Sequence, residues 1–149
     1  MSNVVKSERE KIAELVHRYA DAVVHRHEEQ WGATWAQDAR WNLAPGRDVT
    51  GRADIVALWV KAMGNFAAVV QNVLNGAVDV DDEGGTASGR WYIMEHFLKS
   101  SGEPGILLAY YDDTYVRIDG EWLFSSRALG RQYQGAPNLS DPFLNVVTL

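Results

Sequence analysis

The stretch from residue 106 to residue 133, ILLAYYDDTYVRIDGEWLFSSRALGRQY, decides the fold. Two strand-like runs flank Asp119-Gly120, a dipeptide typical of a tight turn between antiparallel strands. The same succession of strands and turn residues extends upstream. It predicts strands over 67–80, 86–99, 106–118 and 121–133, and the loops between them have hairpin length and composition. An antiparallel meander is therefore the simplest arrangement of this half of the chain.

The first half of the chain has the 3.6-residue periodicity of helices. Ser7 and Glu10 form a capping box before an apolar stripe, which predicts a first helix over 7–26. Trp31 and Trp35 stand four residues apart, which indicates a short second helix with one buried face.

A short strand and a third helix are expected before the meander. The alternation at 40–43 predicts the strand, Pro45-Gly46 predicts a turn, and the third helix should follow Gly51. Because helices come first and strands afterwards, the predicted class is α+β.

Composition excludes several kinds of function. The net charge of −6 disfavours binding to nucleic acid or to an anionic membrane surface. The absence of cysteine excludes disulfides, thiolate nucleophiles and cysteine metal sites, and fits a reducing cytoplasm. No stretch has the length and apolarity of a signal peptide or of a membrane span, so the expected location is cytoplasmic. Six Trp and six Tyr in 149 residues point instead to a cavity lined by aromatic rings.

A set of motifs resembles a known family. They are Arg18-Tyr19-Ala20-Asp21, Trp41, Gly51-Arg52, Asn75-Gly76 and Tyr111-x-Asp113-x-Tyr115-x-Arg117-x-Asp119-Gly120-x-Trp122-x-Phe124-x-x-Arg127. Over nearly the whole chain they resemble the SnoaL-like branch of the nuclear transport factor 2 superfamily, which includes scytalone dehydratase, lindane dehydrochlorinase and ketosteroid isomerase. The resemblance implies one SnoaL-like domain over 1–149, with a cone-shaped, curved antiparallel or mixed sheet wrapped around three N-terminal helices. It constrains function less, because this cone supports many chemistries and some non-catalytic binders.

The resemblance to the dehydrochlorinase also assigns pocket positions. It places the pocket Trp and Arg of that enzyme at Trp41 and Arg127, a helix-one Lys at Tyr19 and a pocket Phe at Tyr111. It places the Asp and His of the base dyad at Val24 and Gln71, neither of which can act as such a base.

The alternation of strand side chains predicts which other residues share the pocket with Tyr111. Asp113 lies two residues further along the same strand, and Glu95 shares a face with Trp91 on the preceding strand. By the same phasing, Gln71 and Asn75 face the pocket from the strand before. The last strand contributes Arg127 and Leu129, with Arg131 as a further candidate, and Trp59 comes from the third helix.

These residues suggest specific roles. Glu95, in apolar surroundings, is the candidate general acid or base, and a slip of one residue in phase would put His96 in its place. Tyr19 and Tyr111 are candidate hydrogen-bond donors, or core residues with satisfied hydroxyls. Asp113 and Arg127 form either a catalytic or a structural ion pair. The expected substrate-binding residues are Trp41, Trp59, Gln71, Asn75, Trp91 and Leu129.

No metal or other cofactor is expected. The histidines at 17, 25 and 27 do not share one helical face, so a zinc site is not indicated. The predicted function is a cofactor-free lyase or isomerase of a small hydrophobic, aromatic or polycyclic substrate. The alternative is a non-catalytic cone domain that binds a small ligand or serves as an accessory domain.

The opposite face of the sheet predicts self-association. It would carry an exposed apolar patch formed by Val70, Leu74, Tyr92, Met94, Leu108 and Tyr110. Pairing of two sheets would cover this patch, so a homodimer is expected, with a homotrimer as the other closed assembly. The tail from Gly135 onwards is predicted to be either an ordered extension or a lid.

Overall fold

Three helices and six strands make up residues 4–147, the part of the chain that the computed structural model describes. The helices are α1 (Glu8–His25), α2 (Glu28–Ala33) and α3 (Arg52–Met63). The strands are β1 (Trp35–Asn42), β2 (Asp48–Thr50), β3 (Phe66–Asp81), β4 (Thr86–Lys99), β5 (Pro104–Ile118) and β6 (Glu121–Gly135).

The strands form one mixed sheet in the order β2-β1-β6-β5-β4-β3. The predicted antiparallel meander is confirmed in β3 to β6, whereas β1 runs parallel to β6. The hairpin between β5 and β6 turns through Asp119 and Gly120 at φ of 51° and 80°. A two-residue type I′ turn requires positive φ at both central residues, and Asp-Gly tolerates these values well.

Helix α1 packs on the concave face of the sheet. Its predicted capping box is present, because the Ser7 hydroxyl accepts from the Glu10 amide at 3.2 Å and the Glu10 carboxylate accepts from the Ser7 amide at 2.6 Å. The buried stripe that faces the sheet consists of Ile12, Leu15, Val16, Tyr19 and Val23. This stripe places Tyr19 above the middle of the sheet.

The prediction that Trp35 belongs to the second helix is wrong. Helix α2 ends at Ala33, and Trp35 is the first residue of β1. The chain joins the sheet at this point because the Phe124 amide of β6 donates to the Thr34 carbonyl at 2.9 Å. The burial predicted for both indoles is nevertheless confirmed, since Trp31 and Trp35 are fully buried with their ring centres 5.5 Å apart.

The prediction that Asn75 shares the pocket face with Gln71 is also wrong. The pairing of β3 with β4 shifts between Val73 and Gly76, which is a β-bulge, and Asn75 is exposed there. The bulge reverses the phase of β3, so Gly76 takes the inner position. A Cβ at Gly76 would come within 2.5 Å of the Trp91 ring, which explains the glycine.

The C-terminal tail is an ordered extension of the sheet edge. Strand β1 ends opposite Ala128. Beyond that point, residues of the tail form hydrogen bonds with backbone carbonyls on the free edge of β6. The Leu144 amide donates to the Gln132 carbonyl at 2.8 Å, and the Asn145 side chain donates to the Arg131 carbonyl at 2.9 Å. None of the helices within 4–147 is both long and apolar enough to cross a membrane.

Candidate functional site

The inner face of β3 to β6 forms the floor of the candidate site. Cross-strand pairing arranges its side chains in four successive rows. The first row is Gln71, Glu95, Leu107 and Gln134; the second is Val73, Ile93, Ala109 and Arg131; the third is Gly76, Trp91, Tyr111 and Leu129; the fourth is Val78, Gly89, Asp113 and Arg127. Glu95, Tyr111 and Asp113 therefore lie on one face, whereas His96 points outwards and is exposed.

The fourth row contains a buried ion pair. Arg127 donates from Nε and Nη2 to the two carboxylate oxygens of Asp113, at 2.7 and 3.0 Å, and both side chains are at most 1% exposed. Burial raises the pKa of the Asp113 carboxyl, and the guanidinium opposes that rise. Two parallel charge-assisted hydrogen bonds make this a rigid, desolvated pair.

Tyr115, a residue not predicted for the site, and Trp91 complete the network around Asp113. Tyr115 donates its hydroxyl to Asp113 Oδ2 at 2.8 Å, and Trp91 Nε1 donates to the Tyr115 oxygen at 3.0 Å. Tyr115 has the same strand parity as Tyr111 and Asp113, so alternation alone could have identified it. Its hydrogen bond goes to the same carboxylate oxygen that accepts from Arg127 Nη2, so it further fixes the carboxylate.

The guanidinium of Arg127 is enclosed by three aromatic rings. Its Cζ lies 3.8 Å from the ring centre of Tyr111, 4.4 Å from that of Tyr19 and 4.2 Å from that of Phe124. The two phenol oxygens are 3.4 Å apart, so one hydroxyl can donate to the other. Burial raises the pKa of both phenols, which keeps them protonated and able to donate hydrogen bonds at neutral pH.

The first row contains Glu95, an acid that has no basic partner among residues 4–147. Gln71 is its direct cross-strand neighbour and donates from Nε2 to Glu95 Oε2 at 2.9 Å. Burial raises the pKa of the Glu95 carboxyl, and the Gln71 hydrogen bond only partly opposes this rise. The negative charge of Glu95 in turn raises the pKa of Tyr111, so the two groups are electrostatically coupled.

The predicted pocket tryptophans lie deeper than Glu95. Trp41 and Trp59 are each 5% exposed and pack against Trp31, with ring centres 5.4 and 4.5 Å away. Trp41 pairs with Arg127 in the sheet, three strands away from Glu95. This tryptophan cluster lies on the β1 side of the sheet, whereas Leu129 lies beside Tyr111 on the inner face. Direct contact of these residues with a substrate stays a prediction.

The site contains no recognisable metal-binding cluster. Within residues 4–147, no group of three or more His, Asp or Glu side chains is arranged to hold a metal ion. The polar groups near Glu95 and Tyr111 instead include the Glu95 carboxylate, the phenols of Tyr19 and Tyr111, the Gln71 amide and the paired guanidinium of Arg127. Such a set can move a proton and stabilise a developing negative charge.

Comparisons with known proteins agree with this description. A family model described as SnoaL-like domain matches residues 6–128. A comparison with curated protein sequences finds no significant match.

Solved structures share the fold. A provisionally assigned scytalone dehydratase from Novosphingobium aromaticivorans is 25% identical, with a TM-score of 0.80 over 86% of each chain. A type 2 hexachlorocyclohexane dehydrochlorinase is 17% identical, with a TM-score of 0.79 over 95% of this chain and 92% of its own. A type 3 enzyme from Novosphingobium barchaimii is 19% identical, with a TM-score of 0.77 over 85% of this chain and 88% of its own. The predicted cone fold is therefore confirmed, and it is one that lyase-type enzymes of small molecules use.

Proposed function

Because this chain belongs to the SnoaL-like domain family, we propose that it is a cofactor-free lyase or isomerase that acts on a small hydrophobic substrate by acid–base chemistry. The observation that supports this proposal most is Glu95, a desolvated carboxylate on the same inner face as Tyr111 and without a basic partner among the described residues. Desolvation of a carboxylate is a common means of bringing its basicity into the useful range near neutral pH.

Each polar group has a role in this proposal. Glu95 takes a proton from substrate carbon, and Gln71 orients the carboxylate through its hydrogen bond. Tyr111, backed by Tyr19, donates a hydrogen bond to the oxygen or halogen on which negative charge develops. Arg127 supports the two phenols from below, and Asp113 keeps Arg127 in place.

The proposed chemistry is an elimination or a double-bond shift. The C–H bond breaks, its proton moves to the Glu95 carboxylate, and its electron pair becomes part of a new C=C bond. In an elimination the bond to the leaving group breaks at the same time, and the leaving group departs with the electron pair of its own bond to carbon. In a double-bond shift the electron pair of the original C=C bond instead forms a new C–H bond at its far carbon, with the proton that Glu95 returns. In a dehydration the proton on Glu95 then passes to the departing hydroxide, which leaves as water. The names of the similar structures, a dehydratase and two dehydrochlorinases, favour elimination.

The substrate is proposed to be aromatic or polycyclic. Leu129 and Trp91 offer apolar surface beside Tyr111, and the buried tryptophan cluster with Trp41 and Trp59 adds aromatic surface on the β1 side. Flat rings pack well against such surfaces and contribute large buried area.

The function can be tested with a panel of bicyclic aromatic β-hydroxy ketones and their β-chloro counterparts. We expect the protein to convert at least one compound to the conjugated enone, which is measured as a rise in ultraviolet absorbance above the uncatalysed rate. Binding of these compounds without turnover would contradict an elimination enzyme and favour a non-catalytic cone domain.

The non-catalytic alternative has one specific observation in its favour. The two positions that resemble the dehydrochlorinase base dyad hold Val24 and Gln71, so that base is absent. A ligand-binding domain would need the apolar hollow and would have no use for a desolvated acid. Since burying Glu95 without a basic partner costs free energy, its presence favours the enzyme.

We also propose that the protein is a homo-oligomer, as a dimer or a trimer. The outer face of β3 to β5 carries Val70, Leu74, Tyr92, Met94, Leu108 and Tyr110, all at least partly exposed. Val70 is 46% exposed and Leu74 is 53% exposed. A contiguous apolar patch of this kind is typical of a covered interface.

Substitution within this patch should change the oligomeric state. Leu74→Glu is expected to convert the oligomer to monomer, because it would bury a carboxylate between two apolar surfaces. Sedimentation velocity measures the change. Val60→Glu is the matched control, since Val60 is 43% exposed on α3, outside the patch. A monomeric wild-type protein at micromolar concentration would contradict the proposal.

A further inference from the structure

Arg131 is an oriented guanidinium at the rim of the site. It lies in the second row of the inner face, opposite Ala109, and is half-buried. Its Nε donates to Gln134 Oε1 at 2.9 Å, and its Nη1 donates to the Leu43 carbonyl at 2.7 Å. Two neutral acceptors therefore hold the guanidinium in a fixed position.

Among residues 4–147, no carboxylate lies within ion-pair distance of Arg131. The other three cations that β4 to β6 direct to this face all have acidic partners, since Arg127 is paired with Asp113, Lys99 with Glu103, and Arg117 with Glu8 and Asp82. A half-buried guanidinium has lost part of its hydration, and neutral acceptors replace that loss only partly. The charge of Arg131 is thus available to a ligand.

A cavity of about 320 Å³ lies at the same rim. Its lining includes Gln134, the residue that orients Arg131, and Phe97, which follows Glu95 on the inner face of β4. Gly105 leaves room for the Phe97 ring, since a Cβ at that position would come within 2.2 Å of it. Leu144 of the tail adds further apolar surface, and the Lys99–Glu103 ion pair lines another part of the cavity. The cavity is therefore partly apolar, and it lies next to Arg131 through Gln134.

We propose that Arg131 binds a carboxylate of the substrate, so that the substrate is an aromatic or polycyclic acid. The inference rests on the proposed function, because it concerns the same inner face of the sheet and names the substrate class. Glu95 and Arg131 are two strands and one row apart, a separation of about 12 Å between Cα atoms in a sheet. The two side chains cover part of that distance and a fused bicyclic ring with one carboxylate can span the rest, so its far ring reaches Glu95 when its carboxylate contacts Arg131.

The proposal can be tested with two probes that differ only in charge, 2-naphthoate and 2-naphthamide. Binding is measured by quenching of tryptophan fluorescence and by calorimetry, neither of which depends on turnover. We expect the naphthoate to bind about tenfold more tightly than the amide, as for a charge-assisted hydrogen bond in a partly desolvated site. The preference should decrease as sodium chloride is added.

Variants distinguish the effect of Arg131 on binding from the effect of the protein's net charge. Arg131→Gln is expected to abolish the preference, and Arg131→Lys to keep part of it. Arg18→Gln makes the same change of charge on the exposed face of α1 and should leave the preference intact. Circular dichroism establishes that each variant is folded.

Three outcomes would overturn the assignment: equal affinity for the two probes, no binding of either, or a preference that survives in Arg131→Gln. None of them bears on proton transfer by Glu95, which the enone assay tests separately. Conversely, a preference for the naphthoate together with no turnover in the enone assay would retain the carboxylate site and contradict the proposed elimination.

Discussion

Replacement of Asp113 by alanine is expected to lower the free energy of unfolding by about 3–5 kcal/mol, as for other buried ion pairs that lose one partner. The loss comes from Arg127, which is 1% exposed and would remain charged without a counter-ion. Tyr115 would also lose the acceptor of its hydroxyl. Urea unfolding followed by tryptophan fluorescence measures the change, because the tryptophan cluster reports loss of the core.

The chain provides a matched control in the next residue. Asp112 pairs with Arg90 through two hydrogen bonds of 2.6 and 2.9 Å, nearly the same geometry as in the buried pair. Its side chain, however, is 50% exposed. Asp112→Ala should therefore have a much smaller effect on stability than Asp113→Ala, because water can solvate the Arg90 that is left behind. Equal losses for the two variants would show that burial does not determine the strength of this network.

A double variant distinguishes the cost of a broken pair from the value of an intact one. Asp113→Leu combined with Arg127→Met removes both charges and keeps most of the volume. Since desolvation of a buried pair offsets much of its attraction, we expect the double variant to be more stable than Asp113→Ala. It should still disturb Tyr19 and Tyr111, whose rings stack on the guanidinium.

Local periodicity was sufficient to predict most of the fold. The strands predicted over 67–80, 86–99, 106–118 and 121–133 agree with the observed ones to within two residues at each end. Alternation from Tyr111 also placed Asp113 and Glu95 on the inner face, because β4 and β5 pair through this region without a shift of register. The parity of a strand can be predicted as long as no bulge interrupts it.

Two bulges mark the limit of that reasoning. The bulge after Val73 moves Asn75 off the inner face, and a second irregularity in the pairing of β5 with β6 brings Gln134 onto it. A bulge depends on which residue packs across the strand, such as the Trp91 ring over Gly76, and that contact is not local in sequence. Trp35 shows a related limit. Its four-residue spacing from Trp31 fits one face of a helix, although Trp35 is in fact the first residue of β1.

Replacement of Glu95 by glutamine is expected to lower kcat/KM by about 10²–10⁴-fold on any substrate that the protein turns over, the usual effect of losing a general base. The substitution keeps the size of the side chain and its proximity to Gln71, so the fold should be intact. In the wild type, kcat/KM should rise with pH as the carboxyl ionises, with an apparent pKa above the ordinary value for glutamate, because burial raises the pKa of Glu95. Glu95→Gln should lack this rise, and an unchanged rate would contradict the role of Glu95.

The same raised pKa predicts an effect on stability that needs no substrate. Because the folded protein holds the Glu95 proton to a higher pH than the unfolded chain does, the stabilisation is complete at acidic pH and is lost as the pH rises through the pKa of the folded state. Glu95→Gln lacks this titration. The free energy of unfolding of the wild type should therefore fall relative to that of the variant between acidic and neutral pH. Urea unfolding of both proteins at several pH values measures the difference, and parallel stability curves would show that Glu95 is not desolvated.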